Sequence, residues 1–233
     1  MNTTKGSPHG TNRKTAIVVG VLFIMGTAAG ALSAIITGPV LGAPDYLARI
    51  SANESPMIIG ALLVLVMGLA LALVPVLMFP IFKQHNEPLA LGYVVFRGAL
   101  ETITCLLWAI SFLALVTLSR EYVLAGNPGA SHYQTLGTLI LAAGTWNGHL
   151  GSIIFSLGAL MVYCLFYQTR LLPRWLSLWG LIGAVFYLAE PLSALAGAEL
   201  EILFGPLFLQ EMVMAVWLIV KGFNPSAMAS KPA

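Results

Sequence analysis

Six apolar runs, each long enough to cross a lipid bilayer, constrain this chain more than any other feature of its sequence. They cover residues 15–38, 57–82, 89–118, 146–167, 174–195 and 201–220. A helix needs about 20 apolar residues to cross a hydrocarbon core about 30 Å thick. Only 9% of the residues are charged, whereas about 25% are charged in a soluble domain. The sequence therefore predicts an integral membrane protein.

The apolar runs predict helices rather than the strands of a membrane barrel. None of them alternates between apolar and polar residues in short segments divided by turns, as barrel strands do. A helix satisfies its own backbone polar groups inside the membrane. We therefore predict an all-α, polytopic membrane protein in which residues 15–223 form a bundle of six transmembrane helices. Residues 1–14 and 224–233 are predicted to be disordered cytoplasmic tails.

The basic residues predict the orientation of the bundle. Those on one side of the predicted membrane are Lys5, Arg13, Lys14, Lys83, Arg170, Arg174, Lys221 and Lys231. Only Arg49 and Arg120 fall on the other side. Because cytoplasmic loops are enriched in Lys and Arg, both termini are predicted to be cytoplasmic. The net charge of +2 is spread without a basic stripe, so nucleic acid is not expected as a partner.

Two connections on the predicted non-cytoplasmic side are longer than the others. In the first, Leu47 and Ile50 lie three residues apart, which predicts a short interfacial helix. In the second, the apolar segment from Ser131 to Ala143 is either another interfacial helix or an outward extension of the fourth helix. Gly144 is predicted to break the helix between this segment and the fourth span.

Five ionisable residues lie inside the predicted spans, although such residues are costly there. An ionised side chain at the bilayer centre costs about 2.5–3.5 kcal/mol on insertion scales, so each needs a partner or a function. Counting from the helix ends places Glu101 and Glu211 near the midplane, and His149 and Glu190 nearer the non-cytoplasmic surface. The sequence therefore predicts a buried ligand-binding site with His149 towards its mouth. Its candidate residues are Arg97, Glu101, Trp108, Trp146, His149, Glu190 and Glu211.

Helical spacing predicts which polar groups share a face. The third helix carries a stripe at offsets of four, three, four and three residues: Arg97, Glu101, Thr104, Trp108 and Ser111. A stripe on the fourth helix comprises His149, Ser152 and Ser156. The first stripe should face the bundle interior. There Arg97 is expected to reach Glu101, Glu211 or both.

Structural roles explain the same residues without any ligand. Arg97 and Glu101 could neutralise each other as an ion pair that fixes helix packing. His149 could hydrogen-bond a neighbouring carbonyl or carboxylate. Glu190 is predicted to end the fifth helix, just before Pro191, where its side chain could be solvated.

No sequence motif assigns a catalytic group, a metal or a cofactor. The chain contains no HExxH, GxSxG or Walker loop, and His149 is the only histidine inside a predicted span. Cys105 and Cys164 lie within spans without CxxC spacing, so they are expected to be packing residues. No metal site is predicted, and the cofactor and the catalytic residues are left unassigned.

Several short segments resemble a known family. They are Ala48–Asn53, Leu91–Tyr93 with Phe96, Arg97 and Glu101 after it, Leu172–Leu176, and Trp217–Phe223. Together they resemble the bacterial membrane family named domain of unknown function 4386, from the first helix to Phe223. The resemblance implies a six-helix protein of the bacterial inner membrane with no established activity. It assigns a catalytic role to no residue.

Three hypotheses on function follow from the candidate site. In the first, the protein binds or transports a small amphipathic or lipid-like ligand at Arg97, Glu101 and Glu211. The third helix of each half of the chain carries one of these Glu residues, which fits the inverted repeats of many transporters. In the second, the carboxylates and His149 perform acid/base or metal-dependent chemistry on a lipid-like substrate. In the third, the protein is a structural or partner subunit. Membrane lipid is an expected partner, and a homo-oligomer is left open.

Overall fold

All the secondary structure of the described residues is helical. The computed structural model describes residues 8–126, 131–198 and 200–229. Six helical stretches are long and apolar enough to cross a membrane: Asn12–Leu41, Ser55–Phe82, Glu87–Leu124, His132–Thr169, Arg174–Leu195 and Glu201–Val220. The prediction of an all-α chain with six helices of membrane-spanning length is confirmed.

The helices follow the chain in a simple order. In the N-terminal part they are α1 (Pro8–Leu41), α2 (Tyr46–Ala52), α3 (Ser55–Phe82), α4 (Glu87–Tyr93), a π-helix (Val94–Leu100) and α5 (Glu101–Leu124). In the C-terminal part they are α6 (Ser131–Thr169), α7 (Arg174–Leu195), a 3-10 helix (Glu201–Phe204), α8 (Gly205–Val220) and α9 (Pro225–Ala229).

The predicted interruption at Gly144 is wrong. α6 is 39 residues long and continues through this glycine. The segment before Gly144 is therefore an outward extension of the fourth helix rather than a separate interfacial helix. A glycine inside a helix costs only about 1 kcal/mol relative to alanine, which the surrounding apolar helix can offset.

Parts of both predicted tails are helical in the structure. α1 begins at Pro8, in agreement with the preference for proline in a first helical turn, so residues 8–14 are helical. α9 lies within the predicted C-terminal tail. It follows Asn224, whose backbone N–H donates a hydrogen bond to the Leu171 carbonyl at 2.9 Å. The remaining parts of both predicted tails, residues 1–7 and 230–233, lie outside the described residues.

The chain divides into two compact units, with boundaries inside α1, α3, α5 and α6. The first unit comprises Met1–Ile24, Ala70–Glu101 and Ser152–Ala233, as far as these are described. The second unit comprises Met25–Leu69 and Thr102–Gly151, again within the described residues.

In the first unit, glycines let helix backbones approach closely. A Cβ atom at Gly20 of α1 would lie 2.6 Å from the carbonyl oxygen of Ala215 in α8. A Cβ atom at Gly183 of α7 would lie 3.1 Å from the Cα atom of Leu207 in α8. Small residues at helix contacts are typical of membrane proteins, where packing rather than a hydrophobic driving force holds helices together. These contacts fix α8 against α1 and α7.

The second unit has an apolar core and an ion pair near the ends of its helices. Its buried core residues are Ile50, Met57, Ala61, Val64, Cys105, Ala109, Phe112, Leu115 and Val116. Arg120 of α5 donates hydrogen bonds of 2.5 and 2.6 Å to the two carboxylate oxygens of Glu54, just before α3. These hydrogen bonds hold the pKa of Glu54 below its ordinary value.

Candidate functional site

A π-helix positions Arg97 in the third span. Within Val94–Leu100 the hydrogen bonding is displaced by one residue, and the N–H of Glu101 donates to the carbonyl of Phe96, five residues earlier. π-helical turns are rare and occur frequently at functional sites. Arg97 is only 3% exposed, in spite of its charge. The π-helix thus places the buried guanidinium of Arg97 within hydrogen-bonding distance of Glu101, the first residue of α5.

The guanidinium of Arg97 lies between two carboxylates. Its Nη1 atom lies 2.9 Å from both carboxylate oxygens of Glu101. Its Nη2 atom lies 3.5 Å from Oε1 of Glu211 in α8. Charge-assisted hydrogen bonds are typically about 2.7–2.9 Å long, so Glu101 is hydrogen-bonded and Glu211 is held at a longer distance. We name these three residues the Arg97 cluster.

Aromatic rings surround the Arg97 cluster. The guanidinium carbon of Arg97 lies 4.4 Å from the ring centroid of Phe155 and 5.9 Å from that of Phe23. Cations are attracted to ring faces within about 6 Å. The Tyr187 ring packs on Phe155 at 4.7 Å and on Phe204 at 4.4 Å, measured between centroids. Tyr187 also lies within electrostatic range of both carboxylates of the cluster.

A buried hydrogen-bond chain holds α8 in place beside the cluster. The Tyr163 hydroxyl donates to Oε1 of Gln210 at 2.6 Å, and Nε2 of Gln210 donates to the Leu176 carbonyl at 3.0 Å. Gln210 is fully buried and immediately precedes Glu211. The two hydrogen bonds therefore fix the rotation of α8, and with it the direction in which Glu211 points.

The hydroxyl of Tyr93 is a buried polar group beside the guanidinium. Tyr93 is 1% exposed and interacts electrostatically with Arg97, Glu101 and Glu211. Neither this hydroxyl nor Nε of Arg97 makes a hydrogen bond of acceptable geometry to any group in the described part of the chain. Buried polar atoms are bonded to protein or to ordered water in most proteins. The Arg97 cluster thus retains hydrogen-bonding capacity for a further polar group.

Three of the predicted site residues, Trp108, Trp146 and His149, belong to the second unit. The rings of Trp146 and His149 are 5.9 Å apart between centroids. Trp108 is 37% exposed, so its predicted interior orientation is wrong. The buried face of α5 instead comprises Cys105, Ala109, Phe112, Leu115, Val116, Ser119 and Tyr122. Because residues on both faces of α5 are apolar, the pattern could not identify the buried face.

Glu190 lies inside α7 rather than at its end. The helix continues through Pro191 to Leu195, and Glu190 is 2% exposed. The predicted solvated position at the end of the helix is therefore wrong. Proline is tolerated inside membrane helices where neighbouring groups satisfy the backbone carbonyl that it leaves unpaired. Glu190 belongs to the first unit, one helical turn after Tyr187.

The aromatic residues around the cluster are not predicted by the sequence pattern. Tyr93 precedes Arg97 by four residues, so helical periodicity alone could have placed it near the polar stripe. Phe23, Phe155 and Phe204 carried no such signal, because phenylalanine is common on every face of an apolar helix. Their positions depend on packing between helices distant in sequence.

The Arg97 cluster contains two carboxylates for one guanidinium. With both carboxylates ionised, one guanidinium and two carboxylates leave one net negative charge. The cluster can therefore accept hydrogen bonds and hold a proton or another positive charge. Among the described residues, no group of three or more His, Cys, Asp or Glu side chains is placed to bind a metal ion.

Six helices of membrane-spanning length and an ionisable cluster within them define a multi-pass membrane protein with a buried polar site. The chain belongs to the family described as Domain of unknown function (DUF4386), which matches residues 18–222. It is also similar to an uncharacterized protein of Archaeoglobus fulgidus, with 31% identity over 83 residues. That similarity covers 36% of this chain and 51%, about half, of the relative. No solved structure matches the chain.

Proposed function

We propose that this protein binds or transports a small amphipathic or lipid-like ligand at the Arg97 cluster. In this proposal the protein lies in the bacterial inner membrane with both termini in the cytoplasm. The apolar part of the ligand contacts the aromatic rings around the cluster, and its polar part contacts the ionisable groups.

The second carboxylate is the observation that carries this proposal. An ion pair that served only helix packing would need one carboxylate for one guanidinium. Glu101 already occupies Nη1 of Arg97 with both of its oxygens. Glu211 adds a further negative charge within an apolar span, at 3.5 Å from Nη2. Ionisable groups inside membrane spans are costly and often mark ligand or ion pathways.

The length and composition of the candidate spans and the distribution of basic residues support the placement of the protein in a membrane. Each of the six candidate spans is long and apolar enough to cross a membrane. Lys and Arg are concentrated in the termini and in connections that share one predicted side of the membrane. This asymmetry favours cytoplasmic termini.

The proposal is tested by identifying what the protein retains during purification. The wild-type protein and Glu211→Gln are extracted in a mild detergent and analysed by native mass spectrometry. Glutamine preserves the size of the side chain and removes its charge, so the variant should fold. We expect the wild-type protein to retain a bound small molecule and Glu211→Gln to lose most of it.

Glu121→Gln is the matched control for this experiment. Glu121 is an exposed carboxylate near the C-terminal end of α5, outside the Arg97 cluster. Its variant should retain the same bound molecule as the wild-type protein. An identical set of bound molecules in all three proteins, or none in any of them, would favour a purely structural role for the cluster.

A further inference from the structure

We infer that the ligand of the Arg97 cluster is an organic cation, in which a positive group is carried on an apolar body. This inference rests on the proposed function and specifies its ligand class. Four features of the first unit carry it: the charge balance of the cluster, the exposure of its members, the aromatic rings beside it and the buried hydroxyl of Tyr93.

With both carboxylates ionised, the charge balance of the cluster favours a cation over an anion. Arg97 is the cation that faces both carboxylates in the described part of the chain. Its Nη1 atom is occupied by Glu101, whereas Glu211 is held only by the longer contact to Nη2. In an apolar environment an uncompensated charge attracts a counter-charge strongly. The carboxylate of Glu211 is therefore the group that can pair with a positively charged ligand.

The exposure of the three side chains shows which charge a ligand would meet. The side chains of Glu101 and Glu211 are 13% and 12% exposed, whereas that of Arg97 is 3% exposed. An arriving molecule thus meets the glutamate side chains before the guanidinium, which is more fully covered. A phosphate or carboxylate headgroup would approach the negative side of the cluster and be repelled. A positive headgroup would be attracted from the same direction.

The aromatic rings favour an organic cation over a simple metal ion. Phe155, Tyr187 and Phe204 form a continuous series of contacts, with centroid distances of 4.7 and 4.4 Å. The middle ring, Tyr187, lies within electrostatic range of both carboxylates. Ring faces bind weakly hydrated cations such as alkylated ammonium groups. They also provide apolar area for the body of such a ligand.

The Tyr93 hydroxyl is a buried polar group beside the cluster whose hydrogen bonding is incomplete. Tyr93 is 1% exposed, and its hydroxyl oxygen is itself buried. The Arg97 guanidinium lies beside this hydroxyl, but no hydrogen bond of good geometry joins the hydroxyl to any group in the described part of the chain. An unmade hydrogen bond of a buried polar group costs about 1–3 kcal/mol, and a phenolic oxygen can accept a hydrogen bond. A protonated amine or a water molecule that accompanies the cation could donate it.

The inference is tested with two ions of the same shape and opposite charge. Tetraphenylphosphonium and tetraphenylborate both carry four phenyl groups around one charged atom. Binding of each to the purified wild-type protein is measured by equilibrium dialysis in dodecyl maltoside, with Glu121→Gln as a second positive control. We expect saturable binding of tetraphenylphosphonium and none of tetraphenylborate. Glu211→Gln should weaken phosphonium binding about tenfold or more, because it removes the accessible charge.

The possible outcomes test the preference for cations separately from the proposed function. Saturable binding of tetraphenylborate that Glu211→Gln changes would leave a ligand site at the cluster and overturn its preference for cations. Binding of neither ion would also overturn the inference, whether or not native mass spectrometry finds a bound molecule. Such a bound molecule, if it depended on Glu211, would still support the proposed function. Because the comparison of the two ions uses the wild-type protein, it does not depend on how well the variant folds.

Discussion

The guanidinium of Arg97 has to balance two carboxylates in a site that is almost closed to solvent. Removing a cation from a buried pair leaves a carboxylate without compensation, which costs about 3–5 kcal/mol. The partner ring of Phe155, 4.4 Å away, reinforces the position of the guanidinium but cannot replace its charge. The stability of the first unit should therefore depend on the charge balance of the cluster more than on the volume of any one side chain.

A double-mutant cycle on Arg97 and Glu101 measures this dependence. Arg97→Ala should destabilise the protein more than Arg97→Ala combined with Glu101→Gln, because the double variant leaves less buried negative charge. We expect a coupling energy of about 1–3 kcal/mol between the two residues. The measurement is thermal or denaturant unfolding of the four proteins in the same detergent. Strict additivity of the single effects would mean that the residues do not interact.

Residue spacing predicts one contact of the Arg97 cluster but not the others. Arg97 and Glu101 are four residues apart, so their proximity follows from helix geometry, and the scarcity of ionisable residues in the spans made Glu211 an obvious second partner. The 3.5 Å contact to Glu211 requires the π-helix and α8 to be neighbours, which no local pattern encodes. The position of Phe155 depends on packing in the same way. The sequence could therefore predict the ionisable residues of the site but not the aromatic residues that surround them.

Arg13 links the first and last membrane-spanning helices at their ends. Its Nη1 atom donates to the Leu218 carbonyl at 3.0 Å, and its Nη2 atom donates to those of Ile219 and Val220 at 2.7 and 3.1 Å. The last carbonyls of a helix have no partner within the helix, so α8 depends on such outside donors. Gly222, with a φ of +75°, lets the chain turn directly after this end.

Arg13→Ala should therefore loosen the C-terminal end of α8. Hydrogen bonds that involve a charged group contribute about 1.5–3 kcal/mol each when buried, and partial exposure here lowers the expected total to about 1–3 kcal/mol. Unfolding in detergent measures the loss, and limited proteolysis near residue 222 should become faster. Lys14→Ala is the matched control, since the neighbouring Lys14 is exposed. Equal effects of the two substitutions would show that the hydrogen bonds of Arg13 contribute nothing specific.

The elements of this fold were easier to predict than their boundaries. Long apolar runs determine six helices because the membrane leaves few other ways to satisfy the backbone. The same runs contain little contrast between faces, so the exposed position of Trp108 could not be read from them. Gly144 and Pro191 looked like interruptions, but α6 and α7 continue through both. The π-helix before Glu101 also has no known local signature in this sequence.

An aromatic cluster near the beginning of α7 is consistent with a membrane surface at this end of the first unit. The ring of Trp175 lies 6.4 Å from that of Trp179 and 6.2 Å from that of Trp217, between centroids. Trp175 is half exposed and follows Arg174, whose guanidinium lies over the Tyr167 ring at 5.5 Å. Tryptophan and tyrosine are enriched at membrane interfaces, and basic residues are enriched on the cytoplasmic side. This end of α7 is thus expected to face the cytoplasm.

The orientation of the whole molecule is tested by two cysteines on opposite sides of the proposed membrane. Ser51 in α2 follows the first candidate span, and Ser226 in α9 follows the sixth, so an odd number of spans separates them. Each is changed singly, Ser51→Cys or Ser226→Cys, in a background with Cys105→Ala and Cys164→Ala. In intact cells a membrane-impermeant maleimide should label the first variant only, and permeabilised cells should label both. Labelling of the second variant alone would reverse the orientation. Labelling of both variants from outside would contradict the six-span arrangement, because the two sites would then lie on the same side.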